Sequence, residues 1–354
     1  MIIYIVNYIF LAFICSLNKF GKLNKKTSCA LFGLMQIIIV GSRHPLMGLG
    51  DTYFFFLRNL EQIDHFGTQF IHDNWKDPLF QYFTYFYTQI FGANEPLYLL
   101  LFSMPYIFVI TYLIYKYSDN IFLSFILFGS TQMFTISFTL MRQINAMAVL
   151  ILAFILLERK KTKSYFFVLV LISSFLHQVS LIFLVVPFLV KYLEKRRFLA
   201  ILLPFLGLGL GIFFRSFVQQ FVHFVVDVND RFEHMITRGQ AVNLTMFFIF
   251  TIITFVALFF SNKATNSFLK KSTIMSLFGL LFLSLTVVNR EFGRVGYLFL
   301  PFLLIAYPNA LNYIEERSPR LFVQISSVVI LVIYYLFFLI HTTGLYPYVP
   351  FWRM

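Results

Sequence analysis

Apolar runs of about 20 residues recur along this 354-residue chain, each closed by basic clusters or short polar segments, and they decide what it can fold into. Hydrocarbon offers no water to a peptide group, so only helices and closed barrels satisfy their backbone inside it. These runs are continuous rather than alternating, which selects helices. The composition agrees: 59% of residues are hydrophobic, 12% are charged and the mean hydropathy is +0.80. A soluble domain carries about 25% charged residues. The sequence therefore specifies an all-α polytopic membrane protein, read as one integral membrane domain over 1–354.

Ten full spans are expected, near 1–17, 28–42, 97–115, 120–138, 143–157, 198–214, 241–260, 272–288, 293–313 and 321–341. The first has no basic residue before its apolar part and Lys19, Lys22, Lys25 and Lys26 after it. That is the reverse of a cleavable signal peptide, so it reads as a retained span. Cys15 and Cys29 fall at the inner ends of the first two spans and call for no disulfide framework.

Basic clusters at 19–26, 158–163, 191–197 and 263–271 belong in the cytoplasm by the positive-inside rule. Segment 164–190 then has the inner side at both ends and crosses twice or not at all. It is too short for two spans of about 20 residues. A short helical hairpin is expected there, breaking at Ser173, Ser174, His177 and Gln178, and facing a cavity because broken backbone is not tolerated against lipid. Both termini fall outside. Inner loops then hold 18 Lys and Arg against 5 acids, so the whole net charge of +13 is internal. It serves orientation and contact with anionic membrane lipid, and nucleic acid is not required as a partner.

The two sides also differ in which cation they use. Thirteen of the 18 inner basic residues are Lys, whereas nine of the ten outer ones are Arg. Topology is indifferent to that choice, but a planar guanidinium grips phosphate or carboxylate at two points. An anion site on the outer side is the functional reading; the bland one is chance, or the tolerance of Arg for helix ends. Arg142, beside Gln143 at the outer mouth of a span, is the sharpest case. Facing lipid at mid-membrane would cost about 2.5–3.5 kcal/mol, so it is expected to face a cavity.

Two outer loops are long enough to build something, 43–96 and 215–240. The first is rich in aromatic residues, which suit an interfacial helix or a platform for sugar rings, and equally an aromatic belt. The third outer turn, Asn289 to Arg294, holds Arg290 and Arg294. Asp51, after Gly-Leu-Gly, is a candidate general base with a turn former as its plain alternative. His177 alone among seven His lies inside an apolar segment, at the expected break. Gly207, Gly209 and Gly211 follow no strand, so close helix packing explains them better than a phosphate loop. Asp227, Asp230 and His223 match no firm metal-ligand spacing, and no metal site or cofactor is assigned.

The order of these features resembles the EpsG-type, Wzy-like polysaccharide polymerases across nearly the whole chain. The resemblance rests on Arg142-Gln143 opening a span, Phe175-Leu176-His177, Ser180-Leu181 and Pro187. It also rests on Gly50-Asp51-Thr52-Tyr53 and, toward the end, Arg294-Val295-Gly296-Tyr297. Departures are Thr52 after the acid and Asn145 before Ala146. What the resemblance implies is an architecture related to the C-type membrane glycosyltransferases and a place in the bacterial inner membrane. It further implies joining of undecaprenyl-pyrophosphate-linked oligosaccharide repeat units on the outer face. Flippase and chain-length regulator proteins are the partners it brings to mind.

Under that chemistry, glycosyl transfer needs positive charge at the leaving pyrophosphate and a base for the attacking hydroxyl. Arg142, Arg290 and Arg294 are expected at the pyrophosphate, with Gln143, Tyr53 and Tyr297 as further substrate contacts. Asp51 is the first candidate base and His177 the second. The alternatives are a transferase or ligase decorating a glycan from a lipid-linked donor, and a lipid-linked oligosaccharide transporter. A transporter would need no base, and no internal repeat is visible.

Overall fold

In the computed structural model, which describes residues 1–48, 52–160, 163–213, 216–217, 220 and 245–353, the chain is helical almost throughout. Its helices cluster into two compact units, Met1–Leu184 with Leu321–Met354, and Val185–Arg320.

The first unit opens with α1 (Ile2–Lys19) and α2 (Lys25–Gly41). A π-turn over Thr52–Leu57 then leads into α3 (Arg58–Phe66), α4 (Thr68–Asp73) and α5 (Pro78–Phe91). The long α6 (Glu95–Tyr117) follows, and then α7 (Ile121–Gly129), α8 (Gln132–Thr135), α9 (Met141–Lys160) and α10 (Lys163–Leu176). Side-chain caps set several starts: Asn24, Asn94 and Asn120 each accept from the backbone N–H three residues on. Glu95-Pro96 after Asn94 adds an acid and a proline where a helix N-terminus favours both.

Packing in this unit runs through close approaches and paired polar groups. On α2, a Cβ at Gly41 would meet the Leu100 Cα of α6 at 2.9 Å, so these backbones nearly touch. Between α1 and α2, the buried amides of Asn7 and Gln36 pair reciprocally, at 2.6 and 3.4 Å. An unpaired amide inside an apolar bundle costs several kcal/mol by order of magnitude, so the pair explains its own burial.

The second unit holds α11 (Val186–Lys195), α12 (Arg197–Phe213), α13 (Thr245–Ser261), α14 (Ser267–Ser284), α15 (Phe292–Tyr297) and α16 (Leu303–Ala310). Here α12 lies on α14 through Gly207, whose Cβ would come within 2.5 Å of the Leu281 carbonyl oxygen; nothing lies within 4 Å of one built on Gly209. The packing reading of the glycines therefore holds for Gly207. The chain returns to the first unit as α17 (Arg317–Tyr334), a π-turn and α18 (Ile340–Thr342). Its tail then pairs with the end of α2: His44 N–H donates to the Val349 carbonyl at 2.7 Å and Phe351 N–H to that of Ser42 at 2.9 Å.

The fold class read from the sequence stands, but the structure does not show the ten expected spans. Among the described residues six helices are long and apolar enough to cross a membrane, or up to eight if each of two bent pairs is one span. The physical reason is length. The 28–42 span is a helix of 17 residues and the 241–260 span is described as one of 17. The 120–138 span is bent by 64° between α7 and α8, and Gln178–Lys195 meets α12 at 119°. The break expected in 164–190 is present: α10 stops at Leu176, Gln178–Val185 is a 3-10 turn, and α11 follows.

Gly207→Ala is expected to destabilise the protein by about 1–3 kcal/mol, the usual cost of overpacking. Gly209→Ala, with open space beside it, should stay within about 0.5 kcal/mol of wild type. Thermal unfolding of the two variants in detergent measures the contrast.

Candidate functional site

Asp77 is where α5, α9 and the broken end of α10 converge. The residue precedes Pro78 at the start of α5, as an acid before a first-turn proline should. Its side chain does not cap that helix. Its backbone is left-handed, with φ of 51°, a conformation that L residues other than Gly rarely hold without support. Gln81, one turn on, supplies the support by donating to the carbonyls of Asn74 at 2.8 Å and Lys76 at 2.6 Å. The carboxylate is thereby aimed inward, its side chain 4% exposed.

Two segments answer that charge. From the first turn of α9, Arg142 Nη1 lies 2.7 Å from Asp77 Oδ2. From the break after α10, the Gln178 N–H donates to Asp77 Oδ1 at 3.3 Å, and His177 Nδ1 lies 4.0 Å from Oδ2. The break is fastened to α9 by Ser173, whose hydroxyl donates to the Ala146 carbonyl at 3.0 Å and to Ser180 Oγ at 2.9 Å. Burial alone would raise the Asp77 carboxyl pKa. His177, the Arg142 guanidinium and the Gln178 N–H outweigh it and hold the pKa below the ordinary value. Arg142 also sits over the Phe56 ring, 5.7 Å from its centroid, and keeps part of its surface exposed. Gln143 is buried beside it.

The turn before α9 is held by another arginine. Arg43 is fully buried, donating from Nε to the Phe138 carbonyl at 2.9 Å and from Nη1 to the Val40 carbonyl at 2.6 Å. Thr52 Oγ1 donates to the same Phe138 carbonyl at 2.8 Å. Arg43 is therefore a structural arginine, the bland reading of the outer-side bias realised at this position. Tyr53, next to Thr52, faces outward with its ring edge on Phe54. Asp51 lies outside the described residues, as do the 221–240 part of the second outer loop and the acids and histidine in it.

Below the charged cluster, an apolar groove of about 690 Å³ runs between α5, α6 and α9. Phe80, Asn145 and Leu176 line the end nearest Asp77, Arg142 and His177; Phe108 and Leu152 lie farther along. Phe83, Phe86 and Tyr87, among the aromatic residues of the first outer loop, line this groove.

In the second unit, Glu291 gathers the other two expected arginines. Its buried carboxylate lies 3.1 Å from Arg294 Nη1 and 4.0 Å from Arg290 Nε, and its N–H donates to Asn289 Oδ1 at 2.9 Å. Arg290 is about half exposed. Tyr297 is half-buried and its hydroxyl lies near Gly293.

Sequence reasoning picked out Arg142, His177, Arg290 and Arg294 and missed the acids that hold them, Asp77 and Glu291. Asp-Pro before an apolar run did signal a helix start at Asp77. Nothing in one sequence says that its side chain turns away from its own helix.

Asp77→Leu should cost about 3 kcal/mol, the low end for a broken buried pair since Arg142 keeps some solvent. The double change with Arg142→Met should recover most of that loss in a thermal-unfolding cycle. Because the folded-state pKa of Asp77 is depressed, its stabilisation is present above the unfolded value of about 3.9 and is lost as pH falls through the folded one. Acidification below about pH 4 should therefore lower the melting temperature less in Asp77→Asn than in wild type.

A model of the EpsG family matches residues 26–350 of this chain. No curated protein and no solved structure matches it.

Proposed function

The chain belongs to the EpsG family, and from that premise we propose that it is a polysaccharide polymerase. It would join undecaprenyl-pyrophosphate-linked oligosaccharide repeat units on the outer face of the bacterial inner membrane, with both termini outside. The helices too short for the span criterion, α2 and α13, would then count as thin crossings, and α10 with the Gln178–Lys195 segment as the two arms of a hairpin that starts and ends inside. The observation that carries the reading is the convergence of Arg142, Asp77 and His177: a cation for an anionic leaving group beside an imidazole with a carboxylate partner.

In the proposed reaction a hydroxyl at the non-reducing end of one lipid-linked unit attacks the anomeric carbon of the growing chain. The new C–O bond forms as the bond from that carbon to the pyrophosphate oxygen breaks. The hydroxyl proton passes to His177, and undecaprenyl pyrophosphate leaves as the anion. Arg142 stabilises charge gathering on the leaving oxygens, a contribution that needs no metal. As its guanidinium turns toward the pyrophosphate, Asp77 is left to the imidazole and favours its protonated form. Gln143 stands beside this arginine as a buried amide, and Asp51, the first candidate base on sequence grounds, remains the alternative acceptor of that proton.

Donor and acceptor each carry a pyrophosphate, so the reaction calls for more than one set of cations. Arg290 and Arg294, held by Glu291, are proposed for that duty, with Tyr297 and Tyr53 as sugar contacts. Flippase and chain-length regulator proteins are the proposed partners.

Deleting the gene should leave single repeat units on the surface and abolish the polymer ladder on a gel. Restoring it as Arg142→Lys should cut the ladder at least about tenfold, because one charge-assisted contact is worth about 1.5–3 kcal/mol. A normal ladder lacking one sugar would make the protein a decorating transferase, and units trapped on the inner face would make it a transporter.

A further inference from the structure

The groove between α5, α6 and α9 begins within one helical turn of the charged cluster. Phe80 is three residues beyond Asp77 on α5, Asn145 three beyond Arg142 on α9, and Leu176 directly precedes His177. At about 1.5 Å per helical residue, the step from either charge to the groove is about 4.5 Å. From Arg142 to Leu152 on α9 the groove extends about 15 Å at that rise. Its flanks carry Phe83, Phe86 and Ile90 with about half or more of their surface exposed, so it opens sideways rather than closing over.

We propose that this groove holds the near end of the polyprenyl tail of a polyprenyl pyrophosphate, with the pyrophosphate at Arg142. The inference rests on the polymerase reading for the identity of the lipid, and adds where and in which direction it lies.

An ordinary phospholipid is the competing occupant, and the polar inventory of the groove decides against it. A phospholipid carries a belt of ester carbonyls between its phosphate and its chains. A site that selected it would offer hydrogen-bond donors just beyond the phosphate contact. Among the described residues that line it, the one amide, Asn145 Nδ2, is already spent on the carbonyls of Phe102 at 2.9 Å and Met141 at 2.8 Å. Tyr87, the other polar lining residue, donates its hydroxyl to the Asn94 carbonyl at 2.5 Å. The first turn below the charges is otherwise Phe80 and Leu176, both buried. A prenyl phosphate joins hydrocarbon directly to a phosphate oxygen, with no ester belt, and matches that abrupt change from charge to hydrocarbon. The charges agree as well. Arg142 is already engaged by Asp77, so a phosphodiester with a single charge gains little, whereas a pyrophosphate brings enough charge to compete for the guanidinium.

The test places a photo-crosslinking amino acid in the full chain at Val149 inside the groove, at the exposed rim position Ile90, and at Phe322 on α17 as a control. Each variant is embedded in nanodiscs of phosphatidylethanolamine and phosphatidylglycerol containing a few per cent of undecaprenyl pyrophosphate, irradiated, and the adducts are weighed. The expected result is undecaprenyl pyrophosphate adducts at Val149 and Ile90 enriched at least about tenfold over Phe322, with the enrichment reduced by Arg142→Ala. Ile90 is solvent- or lipid-facing, so a folding defect at Val149 does not remove the test. Adducts that follow bulk lipid abundance alike at all three positions would overturn the proposal. Enriched adducts in a protein whose deletion leaves the polymer ladder intact would uphold the tail site and retire the polymerase reading.

Discussion

A carboxylate taken out of water has to be answered, and most of what is organised around α5, α9 and α10 follows from Asp77. In a low-dielectric interior an unpaired ion costs far more than a fold of this size can carry, so the charge is either neutralised or matched. Here it is matched from two directions, by the guanidinium at the head of α9 and by the backbone N–H at the break after α10. The match requires α9 to start where it does and α10 to stop where it does. It also requires the loop before α5 to hold a left-handed residue, which Gln81 secures. The constraint is reciprocal: an arginine and a histidine at the membrane boundary become tolerable because the acid is there.

The same logic recurs wherever polarity is buried. Asn7 and Gln36 satisfy each other, Arg43 spends its guanidinium on carbonyls at helix ends, and Glu291 gathers Arg290 and Arg294. Arginine on the expected outer side therefore has two physical uses. Arg43 is enclosed and acts as a strut for the Phe138 turn. Arg142 and Arg290 keep exposed surface while paired with an acid, and under the proposed reaction would exchange that acid for another anion. Partial exposure beside a buried carboxylate separates the second use from the first.

Much of this was legible in the residues. The apolar runs fixed helices and a membrane, because hydrocarbon leaves no alternative. The break at His177 followed from counting residues between two basic clusters. Arg142 stood out because a charge at the mouth of a span needs a partner. What stayed hidden was long-range: Asp77 lies 65 residues before Arg142 and 100 before His177, counted along the chain, and no periodicity connects them. The span count missed for a different reason. Hydropathy marks apolar stretches but not where a helix bends or how short it is: the bend at Ser130–Thr131 divides a run that reads as continuous, and the 28–42 span is a helix of 17 residues. The groove was likewise illegible, since aromatic residues on α5 look the same whether they face sugar, interface or a tail.

The most direct test of the central claim is reconstitution of the purified chain in liposomes with lipid-linked repeat units and no nucleotide sugar, following free undecaprenyl pyrophosphate and glycan length together. One undecaprenyl pyrophosphate should be released for each glycosidic bond formed, with glycan length rising in step. Repeat units that change leaflet while both quantities stay at zero would contradict it.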